Sequence, residues 1–529
     1  MTINHIPNSS ITKKIVKNTV YNLGGKIWFL AVGILITPYI ISRIGVDRFG
    51  VWAIVGIITG YFGLLDFGIG ASYVKYIAEF NTKREMGKIN NLINTGFTLY
   101  FMLAVISTLV VFFFRTQILS LLNVPQNLRY DAGVVLLIGI TLFGASNAMS
   151  SFGAVQGGLQ RMDISNNIGV ALSIVNIAGT VFFLERGFGI IGLMINNVII
   201  FILSTIASVI VAYRLMPELR FRIFTFDKAI FGKMFTFGYN MQIGKISGMI
   251  ANQTDKILIT CFLSIGLVTF YQLGSLIVYN AATFANILSS ALMPAFAEIE
   301  ARGERLRLIE AYIRSVRYAS FLVAPIFILL AITGPQIIYI WMGRGFYQSG
   351  EIIRILSFAF LINTIALVPA SICLAINKPQ LLAAGSVITI VMNLALSTLF
   401  VYTFGFFGAA WGTLIAVNIG TLYFLRKLHR EIEVRFMTFV WAVAPSVLSG
   451  IAATGILFAV WSAFTHHNIF LNSGRIESLL LFFVKALIFA AAYLAASHFL
   501  APFKTEEMKI IKEKIPFLGP IIVRIITRS

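Results

Sequence analysis

The residues best placed to do chemistry are charges that lie where a lipid environment would forbid them. Lys26 sits about eight residues, roughly 12 Å, inside a long apolar run that begins near residue 19. Lys245 holds the matching place in a second run, where Lys245, Gly248, Asn252, Asp255 and Lys256 recur at helical period as one polar stripe. Asn22 comes one turn before Lys26 and Asn240 precedes Lys245. An ionisable group near the centre of a bilayer costs roughly 2.5–3.5 kcal/mol on insertion scales, so it normally faces a cavity or a partner. We read Lys26, Lys245 and Lys256 as candidates for a cation-lined central cavity. Asn22, Asn240, Asn252, Asp255, Asn280 and Asn286 are the candidate polar lining. The competing reading of Lys26 is a four-carbon stem that snorkels to the surface; its repetition at Lys245 favours the cavity. Asn280 and Asn286 equally suit hydrogen bonds between helices. Asp66, within Leu65-Asp66-Phe67-Gly68-Ile69-Gly70, is a candidate gate carboxylate for a lysine or loop cation. A helix-terminal carboxylate at the interface is the plainer alternative.

The elements that must position these groups are membrane helices. The 529 residues are 58% hydrophobic and 12% charged, with mean hydropathy +0.88. A spanning helix needs about 20 mostly apolar residues, and about 14 such segments are present. They lie at 19–43, 49–70, 91–114, 131–153, 165–184, 190–213, 236–263, 267–293, 316–333, 352–376, 381–404, 407–425, 438–464 and 478–500. A spanning β-barrel would instead show short alternating strands. The first segment is too long and too polar for a removable signal peptide. The predicted fold is therefore an all-α polytopic membrane protein.

The chain also repeats itself. Tyr21-Asn22-Leu23-Gly24-Gly25-Lys26-Ile27 returns as Tyr239-Asn240-Met241-Gln242-Ile243-Gly244-Lys245-Ile246, and Ile44-Gly45 as Ile265-Gly266. Gly169 to Asn176 matches Gly385 to Val391 with Asn393 close behind, and Gly189-Ile190-Ile191-Gly192 matches Gly405-Phe406-Phe407-Gly408. Four echoes in one order at a nearly constant offset point to duplication, a common transporter architecture with its substrate site at the repeat interface. Six helices per repeat give the halves the same orientation, hence a parallel pseudo-twofold repeat plus two extra C-terminal helices. The predicted organisation is an N-terminal tail (1–18), an N-lobe (19–213) and a linker (214–235). A C-lobe (236–425), helices 13 and 14 (438–500) and a basic tail (501–529) follow.

Lys and Arg number 41 against 21 Asp and Glu, a net charge of +20. The cations concentrate in alternate loops, among them Lys75, Lys83, Arg84 and Lys88, then Arg214, Arg220, Arg222, Lys228 and Lys233. By the positive-inside rule both termini are cytoplasmic, and the basic excess is topological rather than a nucleic-acid footprint. The tail beyond Pro502 reads as an interfacial helix on anionic lipid or as a solvated basic tail. Cys261 and Cys373 fall inside predicted helices and read as packing residues. Gly187-Phe188-Gly189-Ile190-Ile191-Gly192 spells a dinucleotide fingerprint, but no strand precedes it. His466-His467 lacks companion ligands for a metal. No nucleophile–base pair is visible, so no enzyme is expected.

Lys17-Asn18-Thr19-Val20-Tyr21-Asn22, Thr37-Pro38, Gly45 with Phe49-Gly50-Val51-Trp52, and Leu64-Leu65-Asp66-Phe67-Gly68-Ile69-Gly70 resemble bacterial oligosaccharide flippases. These are the Wzx-type exporters of the multidrug/oligosaccharidyl-lipid/polysaccharide (MOP) superfamily. The resemblance covers essentially the whole chain. It implies two six-helix lobes in the bacterial inner membrane and alternating access. The implied cargo is an undecaprenyl-diphosphate-linked oligosaccharide, moved to the periplasmic leaflet for O-antigen, capsule or exopolysaccharide assembly. Lys26, Lys245 and Lys256 would then hold the diphosphate as point charges, a looser grip than bidentate arginine. No cofactor is implied; coupling to a proton or sodium ion is left open. Anionic lipids and the polysaccharide polymerase or chain-length machinery are the implied partners, and nucleic acid is not. A drug and cation antiporter of the same superfamily is the alternative, for which cavity carboxylates would be wanted. A membrane-embedded polymerase or ligase ranks third, because no long external loop carries a catalytic cluster.

Overall fold

Long apolar runs have one low-energy backbone solution away from water, a helix that satisfies its own N–H and C=O groups. The computed structural model follows that rule, and among the described residues there is no strand. It describes the backbone of residues 8–66, 68–290, 292–464 and 474–500. The side chains of 8–20, 22–23, 65, 239–248, 250–252, 284–290 and 463–464 lie outside the description. So do His466-His467 and the basic tail.

The first elements are α1 (Asn8–Ile44), α2 (Val46–Phe62), a 3-10 turn (Gly63–Asp66), α3 (Ile69–Thr82) and α4 (Met86–Leu121). Next come α5 (Arg129–Gly158), α6 (Met162–Glu185), α7 (Gly189–Leu215), α8 (Lys228–Phe262) and α9 (Ile265–Ser290). The chain continues through α10 (Leu292–Ala301), α11 (Arg305–Met342), α12 (Tyr347–Ile365) and α13 (Leu367–Ala375). It closes with α14 (Pro379–Phe404), α15 (Phe406–Glu431), α16 (Phe436–Phe464) and α17 (Arg475–Leu500). All fourteen predicted segments fall mainly on helix. Twelve helical stretches among the described residues are long and apolar enough to cross a membrane. Segments 49–70 and 236–263 are outside that dozen. The first is interrupted between α2 and α3, and the side chains of about half of the second lie outside the described residues.

Two compact units emerge, Met1–Gln253 with Thr260–Thr269, and Thr254–Ile259 with Phe270–Ser529. In the first unit α4 packs on α5, α3 packs against both, and α7 joins α5 and α6. Its core joins Ile69, Tyr73 and Ile77 of α3 to Ile89 and Leu92 of α4 and Phe152 of α5. The break between α2 and α3 is fixed by Gly68, whose φ of +71° puts it in the left-handed region. A Cβ there would also strike the backbone of Gly238 in α8.

A polar face on α4 fastens the connection after α7. Asn90 and Asn94 accept the backbone N–H groups of Arg220 and Arg222 at 2.9 Å each, and Thr95 Oγ1 accepts that of Asp227 at 2.9 Å. Asp227 then begins α8, its carboxylate accepting the N–H groups of Ala229 and Ile230 at 2.9 and 3.1 Å and the Asn91 amide at 3.0 Å. These bonds, with the Ile230 N–H leading, hold the Asp227 carboxyl below the usual range. This cap starts α8 at Lys228 rather than at the predicted 236.

In the second unit α14 packs on α15, α12 on α11 and α15, and α16 and α17 on α11. Of the two helices beyond the repeat, α17 is tied to α11 by polar bonds. Gln336 Nε2 donates to the Ser478 carbonyl at 2.9 Å, and Lys485 Nζ donates to Gln336 Oε1 at 2.8 Å. Buried His429 of α15 faces the Tyr312 hydroxyl of α11 through Nε2 at 3.1 Å. Both cysteines are free thiols.

Candidate functional site

The duplicated hairpins α6–α7 and α14–α15 turn at glycines in the left-handed region, Gly189 at φ +56° and Gly405 at φ +67°. The apparent dinucleotide fingerprint is thus an interhelical turn. Each hairpin buries a polar node at one spacing: an Asn, a hydroxyl residue one turn later, and a polar residue twenty positions after the Asn. In α6–α7 these are Asn176, Thr180 and Asn196. Asn196 Nδ2 donates to Asn176 Oδ1 at 2.6 Å and contacts Thr180 Oγ1 at 3.2 Å.

In α14–α15 the same places hold Asn393, Ser397 and Thr413, and Asp255 of α8 joins them. Asn393 Nδ2 donates to Thr413 Oγ1 at 2.9 Å, to Ser397 Oγ at 3.3 Å and to Asp255 Oδ1 at 3.4 Å. Asp255 Oδ2 accepts short hydrogen bonds from the Thr413 hydroxyl and from Tyr271 of α9. The carboxylate is wholly buried. Asn393 Oδ1 is a buried oxygen with no hydrogen-bond partner among the described residues. A carboxylate, hydroxyl oxygens and an amide N–H thus converge from four helices. That set suits a proton or a hard cation, and it ties the second half of α8 to α9, α14 and α15.

Lys256, next to Asp255, is 2% exposed, with its Nζ 5.9 Å from the Tyr279 ring centroid. Lys26 is exposed. Its helix packs on α6 through Gly25 against Asn166 and through Trp28, whose Nε1 donates to Ser173 Oγ at 2.6 Å. Asn280 bonds its own helix, donating to the Leu276 carbonyl at 2.8 Å. The side chains of Asn22, Asn240, Lys245, Asn252 and Asn286 lie outside the described residues.

Asp66 ends the 3-10 turn, accepts the Gly70 N–H at 3.0 Å and takes a short hydrogen bond from Tyr100 of α4. With Tyr100, Ser107 and Asn147 it lines a cavity of about 20 Å³, room for one water molecule. The sequence reading missed Tyr100 and Tyr271 as carboxylate partners, because a tyrosine in a membrane segment carries no spacing signal. It also passed over Lys485, whose depth in the last segment was visible.

Residues 40–351 match the family described as "Polysaccharide biosynthesis protein". A "Putative O-antigen transporter" from Shigella flexneri is 24% identical over 77% of this chain and 96% of its own length. Among solved structures, "Lipid II flippase MurJ, inward closed conformation" matches 92% of this chain and 98% of its own at TM-score 0.68 and 17% identity. An inward-facing "multidrug resistance MATE family transporter of the MOP superfamily" matches 77% of this chain and 95% of its own at TM-score 0.60 and 16% identity. At such identities the structures speak for the fold. The family match covers more than half of the chain, so the chain belongs to the polysaccharide biosynthesis protein family, on the fold of the MOP transporters.

Proposed function

We propose that this protein is a flippase for lipid-linked oligosaccharide, carrying a polyprenyl-diphosphate glycan from the cytoplasmic to the outer leaflet of a bacterial inner membrane. It is a transporter rather than an enzyme. The observation that carries this reading is the match to the O-antigen transporter over 96% of that protein's length. In this reading the two sequence repeats are the six-helix lobes of an alternating-access carrier, with both termini cytoplasmic. Lys26, Lys245 and Lys256 serve the diphosphate, and Asn22, Asn240, Asn252, Asn280 and Asn286 serve glycan hydroxyls. Asp66 stands at a gate, and Asp255 holds a charge or proton during the cycle. Anionic lipids and a polysaccharide polymerase are the proposed partners. Moving negative charge outward across an inside-negative membrane is favourable by roughly 2.3 kcal/mol per charge per 100 mV.

Translocation of a fluorescent undecaprenyl-diphosphate oligosaccharide in proteoliposomes tests this reading. Wild type is expected to flip the lipid, and Lys26→Gln with Lys245→Gln to slow it at least about tenfold, roughly 1.4 kcal/mol of barrier, while inserting normally. Transport of organic cations but not of the lipid would replace the flippase with a multidrug exporter.

A further inference from the structure

A second concentration of positive charge lies within the first unit, where α3 meets the start of α8. Lys75 and Tyr76 from α3, with Lys233, Phe237 and the small residues Ala229 and Gly232 from α8, line an open groove of about 550 Å³. Lys75 Nζ lies 4.2 Å from the Phe237 ring centroid and 4.8 Å from that of Tyr76. The two rings meet edge to face at 6.1 Å. Tyr76 also stacks on Phe80 at 5.8 Å, and Lys233 Nζ is 6.0 Å from the Phe80 ring centroid. The Tyr76 hydroxyl donates to the Lys233 carbonyl at 3.2 Å, which pins the two helices at this point.

The charges here are positioned by aromatic rings rather than by ion pairs at contact distance. An aromatic face attracts an ammonium and orients it but leaves its full charge in place. Among the described residues neither lysine makes an ion pair at contact distance: Glu79, one turn beyond Lys75, bonds Lys83 at 2.6 Å and acts on Lys75 and Lys233 only through its field, as Asp227 does on Lys233. A groove with two oriented ammonium groups and aromatic rings along it suits an anion that brings an apolar body with it. A fully hydrated small anion would use the lysines and leave the rings idle.

We propose that this groove binds the phosphate-bearing headgroup of a lipid. The source is either an anionic phospholipid or the diphosphate of the proposed cargo; the second source rests on the flippase reading, whereas the site itself does not. In the second case the groove is a docking place for the diphosphate separate from Lys26, Lys245 and Lys256. Both walls belong to the loop-flanking segments whose cations place them on the cytoplasmic face by the positive-inside rule.

The experiment is equilibrium binding to the intact protein in neutral detergent, with farnesyl diphosphate, short-chain phosphatidylglycerol and inorganic pyrophosphate as separate probes. One of the two lipids is expected to bind wild type, and the Lys75→Gln/Lys233→Gln variant to bind it at least about tenfold more weakly. Lys75→Arg/Lys233→Arg is expected to restore binding, because charge and ring stacking both survive the exchange. Phe237→Leu keeps the charges and is expected to weaken the lipid several-fold, so the proposal stays testable if the double glutamine variant does not fold. Tighter binding of farnesyl diphosphate names the diphosphate lipid as the source, and tighter phosphatidylglycerol names phospholipid. Unchanged binding in the glutamine and leucine variants, with unchanged melting temperature, overturns the site. Pyrophosphate binding as tightly as farnesyl diphosphate overturns the lipid specificity. Binding needs no translocation, so a failed transport assay and a failed binding assay are separate results.

Discussion

In the α6–α7 hairpin Asn176, Thr180 and Asn196 bond one another, and α1, which packs on α6, carries no acidic residue. In the α14–α15 hairpin the equivalent Asn393, Ser397 and Thr413 turn their polar atoms toward Asp255. The scaffold is the same, with the same residue separations and the same left-handed turn glycines. A carboxylate has been added to one copy. A closed neutral node serves helix packing, because every hydrogen bond it makes inside a membrane spares the cost of a bare polar group. A node with a buried carboxylate has a charge to hold or neutralise, which makes it sensitive to whatever proton or cation reaches it. The comparison separates a duplicated structural device from the copy for which we propose a chemical use.

The sharpest way to break that comparison is to remove the acid. Asp255→Ala leaves the Tyr271 and Thr413 hydroxyls without their buried acceptor and removes one of three acceptors from the Asn393 amide, an expected loss of about 3–5 kcal/mol. Asn196→Ala in the neutral node is expected to cost about 1–2 kcal/mol. Thermal unfolding of both variants in the same detergent measures the difference. Asp255→Asn makes the second node neutral like the first. It should retain most of the stability yet lower transport at least about tenfold. Wild-type transport by that variant would make the two nodes functionally equivalent and end the distinction.

A smaller effect tests whether the two hairpins are packed alike. A Cβ on Gly408 would meet the backbone of Phe400 and Val401, whereas one on Gly192 would meet the side chains of Phe183 and Phe188. In both hairpins the atoms met are fixed by the backbone, but the approach at Gly408 is the closer, so Gly408→Ala is expected to lose about 3 kcal/mol and Gly192→Ala about 1–2. Equal melting shifts would mean that the first hairpin is as rigid as the second.

The smallest effect concerns a carboxylate satisfied by backbone outside the membrane. Asp227 is held below its usual range in the folded chain, first by the Ile230 N–H. Its stabilising contribution is therefore complete above the ordinary carboxylate value near 4 and fades as pH falls through the lower folded-state value. Asp227→Asn should shrink the loss of thermal stability seen below about pH 4, while Asp227→Ala should cost about 1 kcal/mol at neutral pH. A melting profile that overlays wild type from neutral to acid pH in both variants would remove the cap.

The repeat was legible because duplication preserves order, and Gly189 and Gly405 stood out as sequence echoes, but that each turns a helical hairpin is visible only in the structure. Asn393 likewise stood out beside Asn176, but nothing in the sequence tied it to Asp255, which is 138 residues away. The polar stripe on α8 marked Asp255 and Lys256 as lining a cavity, whereas their actual neighbours Tyr271, Thr413 and Tyr279 carry no periodic signal. The α4 face of Asn90, Asn94 and Thr95 gave no signal of its use, because its partner is irregular backbone that leaves no pattern.

The sequence by itself determined that this chain is a bundle of apolar helices built from two repeats, because hydropathy and duplication act locally and add up along the chain. Only the tertiary structure decided which copy of a shared polar node holds the carboxylate, and that lysines 75 and 233 share one aromatic groove. Hydrogen bonds and cation–π contacts depend on distances of a few ångströms between segments far apart in sequence, and packing sets those distances.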